Sequence, residues 1–151
     1  MTKAELARSY FEEGFNCCQA VVLAFQEEIG IEKEMLAKMA SSFGGGFGRL
    51  REVCGAFSGI SLVVGALLGY GDAESDKKAE HYALIRELAE EFKNVNGGSI
   101  ICRELLGNTQ NLSSENPAER TMEYKHKRPC YDIVANSADI LDKKLKEKGI
   151  L

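Results

Sequence analysis

The sequence predicts an all-α protein, a helical bundle around a buried apolar central helix. Three observations carry that reading. Apolar residues recur at intervals of three and four rather than two. Punctuation comes from two prolines, Pro117 and Pro129, and from 15 glycines. From Val53 to Gly71 there is no charged residue, and such a segment gives amphipathic neighbours something to bury against. With 151 residues, 44% hydrophobic and 28% charged, the chain is expected to form one domain over residues 1–151. A chain of that length buries roughly 68–70% of its unfolded surface, so its fold needs no disulfide or structural metal.

The elements follow in order. Ala7, Tyr10 and Phe11 mark a short first helix that Gly14 breaks. Asn16 is placed to accept from the orphan amides of a second helix, Cys17 to Ile29. A third is expected from about Glu32 to Ser42, and Gly44-Gly45-Gly46-Phe47-Gly48 reads as a loop. Val53 to Gly71 reaches the length of a membrane span. Its five glycines dilute its hydrophobicity, however, and favour a soluble core helix. The next helix, about Ala73 to Asn96, carries a stripe of Ala79, Tyr82, Ala83, Leu88, Ala89, Phe92 and Val95 opposite Lys77, Lys78, Glu80, Glu87, Glu90 and Glu91. After Gly97-Gly98, Ser99 is expected to cap a short helix through Leu106. Gly107 to Asn116 reads as an exposed connection, and Pro117 opens a turn. Pro129 suits the first turn of a last helix through about Lys146, with Cys130, Ile133, Val134, Ser137, Ala138, Leu141 and Leu145 on its inner face.

Net charge is −4 and no Lys/Arg stripe is interleaved with aromatics, which excludes nucleic acid as an expected partner. The first residues are charged at helical intervals and lack the apolar core of a signal peptide, so a reducing cytoplasm is the expected location. Five cysteines there read as thiols, metal ligands or catalytic groups.

Cys17, Cys54, Cys102 and Cys130 all fall at or near predicted helix starts. Unsatisfied amides at a helix N-terminus carry partial positive charge and favour thiolate, the nucleophilic and metal-binding form. There is no C-x-x-C, and the gaps are too long for a zinc finger or a thioredoxin hairpin, so any site must be assembled by tertiary folding. The four could exchange disulfides with a redox partner, or hold zinc or an iron–sulfur cluster. Buried cysteine also behaves as a small hydrophobe, which leaves a helical interaction protein with packing cysteines as the third reading.

These blocks resemble a known family. Gly14-Phe15-Asn16-Cys17-Cys18-Gln19-Ala20-Val21, Gly44-Gly45-Gly46-Phe47-Gly48-Arg49 leading into Glu52-Val53-Cys54-Gly55-Ala56-Phe57-Ser58-Gly59, Cys102-Arg103-Glu104-Leu105 and Cys130 together are similar to the C_GCAxxG_C_C family of redox-active proteins. The resemblance implies a small helical redox protein with Cys17, Cys54, Cys102 and Cys130 as its working positions, and it names no substrate. This chain reads Cys-Gly-Ala-x-x-Gly where the family name has Gly-Cys-Ala-x-x-Gly, and it adds Cys18, which is taken as packing.

The glycine loop reads as a route for close backbone approach to the cysteines, or as an anion nest, but it lacks the G-K-[ST] ending of a P-loop. Arg49 and Arg51 add positive potential beside it, although such arginines are usually exposed. Lys125-His126-Lys127-Arg128 precedes Cys130, so Cys54 and Cys130 are expected to be the most acidic thiols. His81 and His126 receive no role, and no hydrolase motif is present. The resulting expectation is a cysteine-dependent redox protein, for thiol/disulfide or electron transfer, whose four cysteines converge from separate helices in one cluster, with thiol/disulfide oxidoreductase-like activity. Its partner would be a redox protein or a small-molecule oxidant or reductant. The alternative is a zinc or iron–sulfur module on the same four cysteines, and no oligomeric state is implied. A soluble core helix predicts that the protein purifies without detergent; recovery only in the membrane fraction, with residues 53–71 protected by lipid, reverses it.

Overall fold

The computed structural model describes residues 1–107 and 129–151. Among these the chain is all-α, with one isolated antiparallel bridge, Val53 to Ile101, and no strand. The helices are α1 (Lys3–Glu13), α2 (Cys17–Ala24), α3 (Gln26–Ile29), α4 (Lys33–Ala40), α5 (Gly55–Leu68), α6 (Lys78–Val95), α7 (Cys102–Leu106) and α8 (Pro129–Glu147). A 3₁₀ turn, Ser41–Phe43, and a glycine turn, Gly44–Phe47, join α4 to α5. The connection expected beyond Gly107, the Pro117 turn, the Lys125–Arg128 run and His126 lie outside the described residues.

Local chemistry sets the first two helices. Thr2 and Glu5 form a capping box on α1, and Gly14, at φ 114°, ends it in a backbone conformation that favours glycine. Asn16 and Gln19 repeat the box on α2, with reciprocal bonds of 2.9 and 3.0 Å. The expected continuous helix to Ile29 is interrupted at Phe25 (φ −112°, ψ 20°). There Lys3 Nζ donates to the Ala24 carbonyl at 3.0 Å and lies 4.9 Å above the Phe25 ring. Capture of that carbonyl by an ammonium lets the chain turn and sink Phe25 into the core, leaving α3 as a single turn.

α2 is the most enclosed element. Cys17, Cys18 and Ala20 to Ala24 are all buried, and α1, α4, α5 and α8 pack around it. The apolar segment forms α5, which buries Gly55, Ala56, Phe57, Gly59, Ile60, Val63 and Val64 but exposes Gly65 and Ala66. No helix among the described residues is long and apolar enough to cross a membrane. In α6 the buried face is rotated from the expected stripe. Leu88 and Phe92 are buried, with Leu84 and Ile85 partly so, while Ala79, Tyr82, Ala83 and Val95 face out. The C-terminal half anchors this helix, through Phe92 edge-on to Phe57 at 5.5 Å and through Lys144 of α8.

Lys144 was not anticipated on an inner face. Its ammonium is buried yet meets Glu87 (3.1 Å), Glu91 (3.3 Å) and Glu147 (3.3 Å). Burial disfavours its charge, but the three carboxylates outweigh burial and hold its pKa above the usual lysine value.

Two glycines of α5 should respond oppositely to alanine. A Cβ at Gly65 meets nothing within 4 Å, so Gly65→Ala is expected to stabilise by about 0.5–1 kcal/mol through helix propensity. A Cβ at Gly59 would lie 2.9 Å from Val21 Cβ and 3.1 Å from the Cys18 carbonyl oxygen. Overpacking of about 1–3 kcal/mol then exceeds the propensity gain, so Gly59→Ala should destabilise. Chemical denaturation of both variants reads the two signs, and two shifts of the same sign contradict the packing.

Candidate thiol site

All four predicted cysteines do sit at helix starts. Cys17 and Cys102 are the first residues of α2 and α7, Cys54 is the N-cap of α5, and Cys130 is the second residue of α8. The expectation from sequence is that all four converge in one cluster, and a cluster of four is not shown among the described residues.

Cys17 and Cys54 meet directly. The N-terminus of α5 is laid against that of α2 so closely that a Cβ on Gly55 would collide with Cys17 Sγ and lie 2.8 Å from the Phe43 carbonyl oxygen. Glycine is therefore required at residue 55 for a steric reason. Hydrogen bonding to Cys17, followed by burial and by repulsion from Cys17 and Cys130, pushes the Cys54 thiol well above its ordinary value. The Ala56 amide pulls the other way and loses. This corrects the expectation that Cys54 is among the most acidic thiols. A helix terminus favours thiolate only where the sulfur is not also desolvated and tied to a second thiol. Cys130, half-buried on α8, packs against the same core and is near enough to Cys54 to repel its charge.

Cys102 is placed by different means. Around the Val53–Ile101 bridge, the Cys54 amide donates to the Ile100 carbonyl (2.7 Å) and the Cys102 amide to the Glu52 carbonyl (2.6 Å). These two bonds fix the starts of α5 and α7 side by side. Gly46 packs on Cys102, since a Cβ there would lie 2.6 Å from Cys102 Cβ and 2.8 Å from the Glu52 amide. Gly44 in turn packs on the Asn16 cap, 2.6 Å from its side chain by the same measure. The glycine run thus serves close approach to two cysteine-bearing helix starts.

The turn is wound tightly. Gly45, Gly46, Phe47, Gly48, Arg49 and Arg51 all have φ between 59° and 72°, and the three non-glycines among them adopt a conformation that costs roughly 1–2 kcal/mol each. Backbone bonds hold it, with the amides of Gly48, Arg49, Leu50, Arg51 and Glu52 donating to the carbonyls of Ser42, Gly44, Phe47, Gly45 and Gly46. Those five amides are consumed within the turn. Arg51 is also not the exposed arginine expected from sequence. It is 7% exposed, its Nη1 lies 3.7 Å from Cys102 Sγ, and its Nε has no hydrogen-bond partner among the described residues.

Cys18 is fully buried against the core, and burial first, then Cys17, raises its pKa far above the ordinary value, in keeping with a packing role. His81 stacks edge-on against Tyr70 at 6.0 Å, away from the cysteines. None of the five cysteines is in a disulfide. Among the described residues no group of three or more His, Cys, Asp or Glu side chains is arranged to hold a metal ion. Arg51 was expected to add positive potential beside the glycine loop but not to be buried, and Lys144 is the buried charged residue that sequence reasoning missed. For Lys144 a signal existed, because it continues the inner stripe three residues beyond Leu141.

A family model described as "Putative redox-active protein (C_GCAxxG_C_C)" matches residues 15–144, and the chain belongs to that family. No curated protein and no solved structure matches it.

Raised thiol pKa values leave little thiolate at neutral pH, so Cys18 and Cys54 should be the slowest cysteines to alkylate in the reduced, folded protein. In denaturant all five should react at comparable rates. Iodoacetamide labelling resolved by peptide mass at pH 7.5 checks this, and rapid native labelling of Cys54 contradicts the buried thiol pair.

Proposed function

We propose that this family member is a thiol–disulfide redox protein in which Cys17 and Cys54 form the exchanging pair, with Cys130 beside them and Cys102 completing the set. One observation carries the reading: the Cys17 and Cys54 thiols, 37 positions apart in sequence, are brought together at two abutting helix starts. Oxidation removes two electrons and two protons from the pair and joins the sulfurs. In exchange with a partner disulfide, those electrons and protons leave as two partner thiols. The pair needs a reductant to return, which suits one domain over residues 1–151 working in a reducing cytoplasm with a redox protein or a small thiol as partner.

A packing role for Cys17 needs the same glycine at residue 55, so it is the redox test that separates the two readings. Ligation of zinc or an iron–sulfur cluster by Cys17, Cys54, Cys102 and Cys130 lacks a supporting arrangement of three ligands among the described residues.

The test is equilibration in dithiothreitol redox buffers under argon, followed by acid quench and peptide mapping. A reversible Cys17–Cys54 disulfide is expected, abolished by Cys54→Ser. Oxidation that yields only intermolecular bridges, or joins other cysteines with the pair intact, overturns the pairing.

A further inference from the structure

We propose that Cys102 is the attacking thiolate of this site and that Arg51 is its positioning residue, an assignment that rests on the thiol–disulfide reading above. A guanidinium withdrawn from water needs a counter-charge. Arg51 is 7% exposed, forms no ion pair among the described residues, and directs Nη1 at Cys102 Sγ, 3.7 Å away. The nearby carboxylates among the described residues are occupied elsewhere. Glu52 pairs with Arg103 at 3.3 Å, and Glu104 accepts the Ser99 hydroxyl. Arg103 turns its Nη1 to the Arg51 carbonyl at 3.0 Å, and Arg49 lies against Gly45 of the same turn. Cys54 stands across the Val53–Ile101 bridge and is held protonated by Cys17 and burial. Among the described residues, the sulfur of Cys102 is therefore the group placed to supply the anion that Arg51 faces.

The geometry also explains the strained turn. Arg51 reaches Cys102 from a left-handed backbone (φ 62°), and Gly46 packs its bare Cα side against Cys102 Cβ. A side chain at residue 46 would push the turn, and Arg51 with it, away from the sulfur. The substrate class is a small disulfide, because only a narrow part of Cys102 is open to solvent. The thiolate attacks one substrate sulfur and the substrate S–S bond breaks. The second sulfur leaves as a thiolate that takes a proton from water, and Cys102 remains in a mixed disulfide.

The probe is oxidised glutathione, added to the reduced, chelator-treated protein, with mixed disulfides assigned by peptide mapping as a function of pH. Cys102 is expected to be the first residue modified at pH 7. Arg51→Gln should slow that reaction about tenfold or more at pH 7 yet approach the native rate near pH 10, where the thiolate forms unaided. Arg51→Lys should recover part of the loss. A structural defect would instead depress the rate at every pH. First attack at another cysteine in the native protein overturns the proposal whether or not the variants fold. So does an Arg51→Gln rate that equals the native rate at pH 7 or is depressed equally at all pH values. The Cys17–Cys54 disulfide is read separately in redox buffer, so loss of Cys102 reactivity with that bridge intact rejects this assignment alone, and the converse rejects the pairing alone.

Discussion

The structure depends on the contact between the starts of α2 and α5, where the place of a side chain on Gly55 is taken by Cys17 Sγ and the Phe43 carbonyl. Two helix N-termini meeting in this way bring two partially positive ends together, which is unfavourable unless an electron-rich group lies between them. The Cys17–Cys54 pair occupies that position. The enclosure of α2 follows, because α5 must lie along it, and Gly59 then packs against Val21 and the Cys18 carbonyl. The placement of the glycine turn follows as well, since Gly44 has to fit against the Asn16 cap that starts α2.

The cysteines show how the same local device gives different chemistry. All four begin helices, so helix-terminal amides act on each and favour thiolate by a modest amount. At Cys54 that effect is outweighed by a hydrogen bond to Cys17 and by burial, and the thiol keeps its proton. Cys102 has, in addition, a guanidinium on its sulfur. A charge held in a poorly solvated place interacts much more strongly than one in water, so Arg51 can decide the state of Cys102 where the short α7 alone could not. Helix position nominates a cysteine, and its immediate neighbours determine what the sulfur does.

Much of the framework was legible in sequence because it is encoded locally. The Asn16 cap, the Gly14 stop, the Pro129 start and the 3.6-residue patterns each act within a turn or two. Errors arose where a distant residue decides. The break at Phe25 needs Lys3, 22 positions away, to take the Ala24 carbonyl. The rotated face of α6 follows from where α5 and α8 lie. The helix-start cysteines and the close-approach role of the glycines were likewise readable, whereas the choice of Cys17 and Cys54 as neighbours was not. No spacing rule relates residues joined by the packing of two separate helices.

Arg51 and Lys144 sharpen the distinction between structural and functional buried charge. Both are cations withdrawn from water, and each would be costly to leave without compensation. Lys144 is compensated by Glu87, Glu91 and Glu147, three carboxylates that tie α8 to α6 and to its own last turn. That arrangement does not depend on any change of state, and it serves the fold. Arg51 faces a group whose charge is conditional, since a thiol supplies an anion only after losing its proton and loses that ability once it is oxidised. The left-handed residues of the glycine turn and five backbone bonds keep the guanidinium in place regardless. A rigid cation set against a changeable anion is suited to chemistry rather than to stability, which is why the functional assignment falls on the Arg51–Cys102 contact and not on the better-paired lysine.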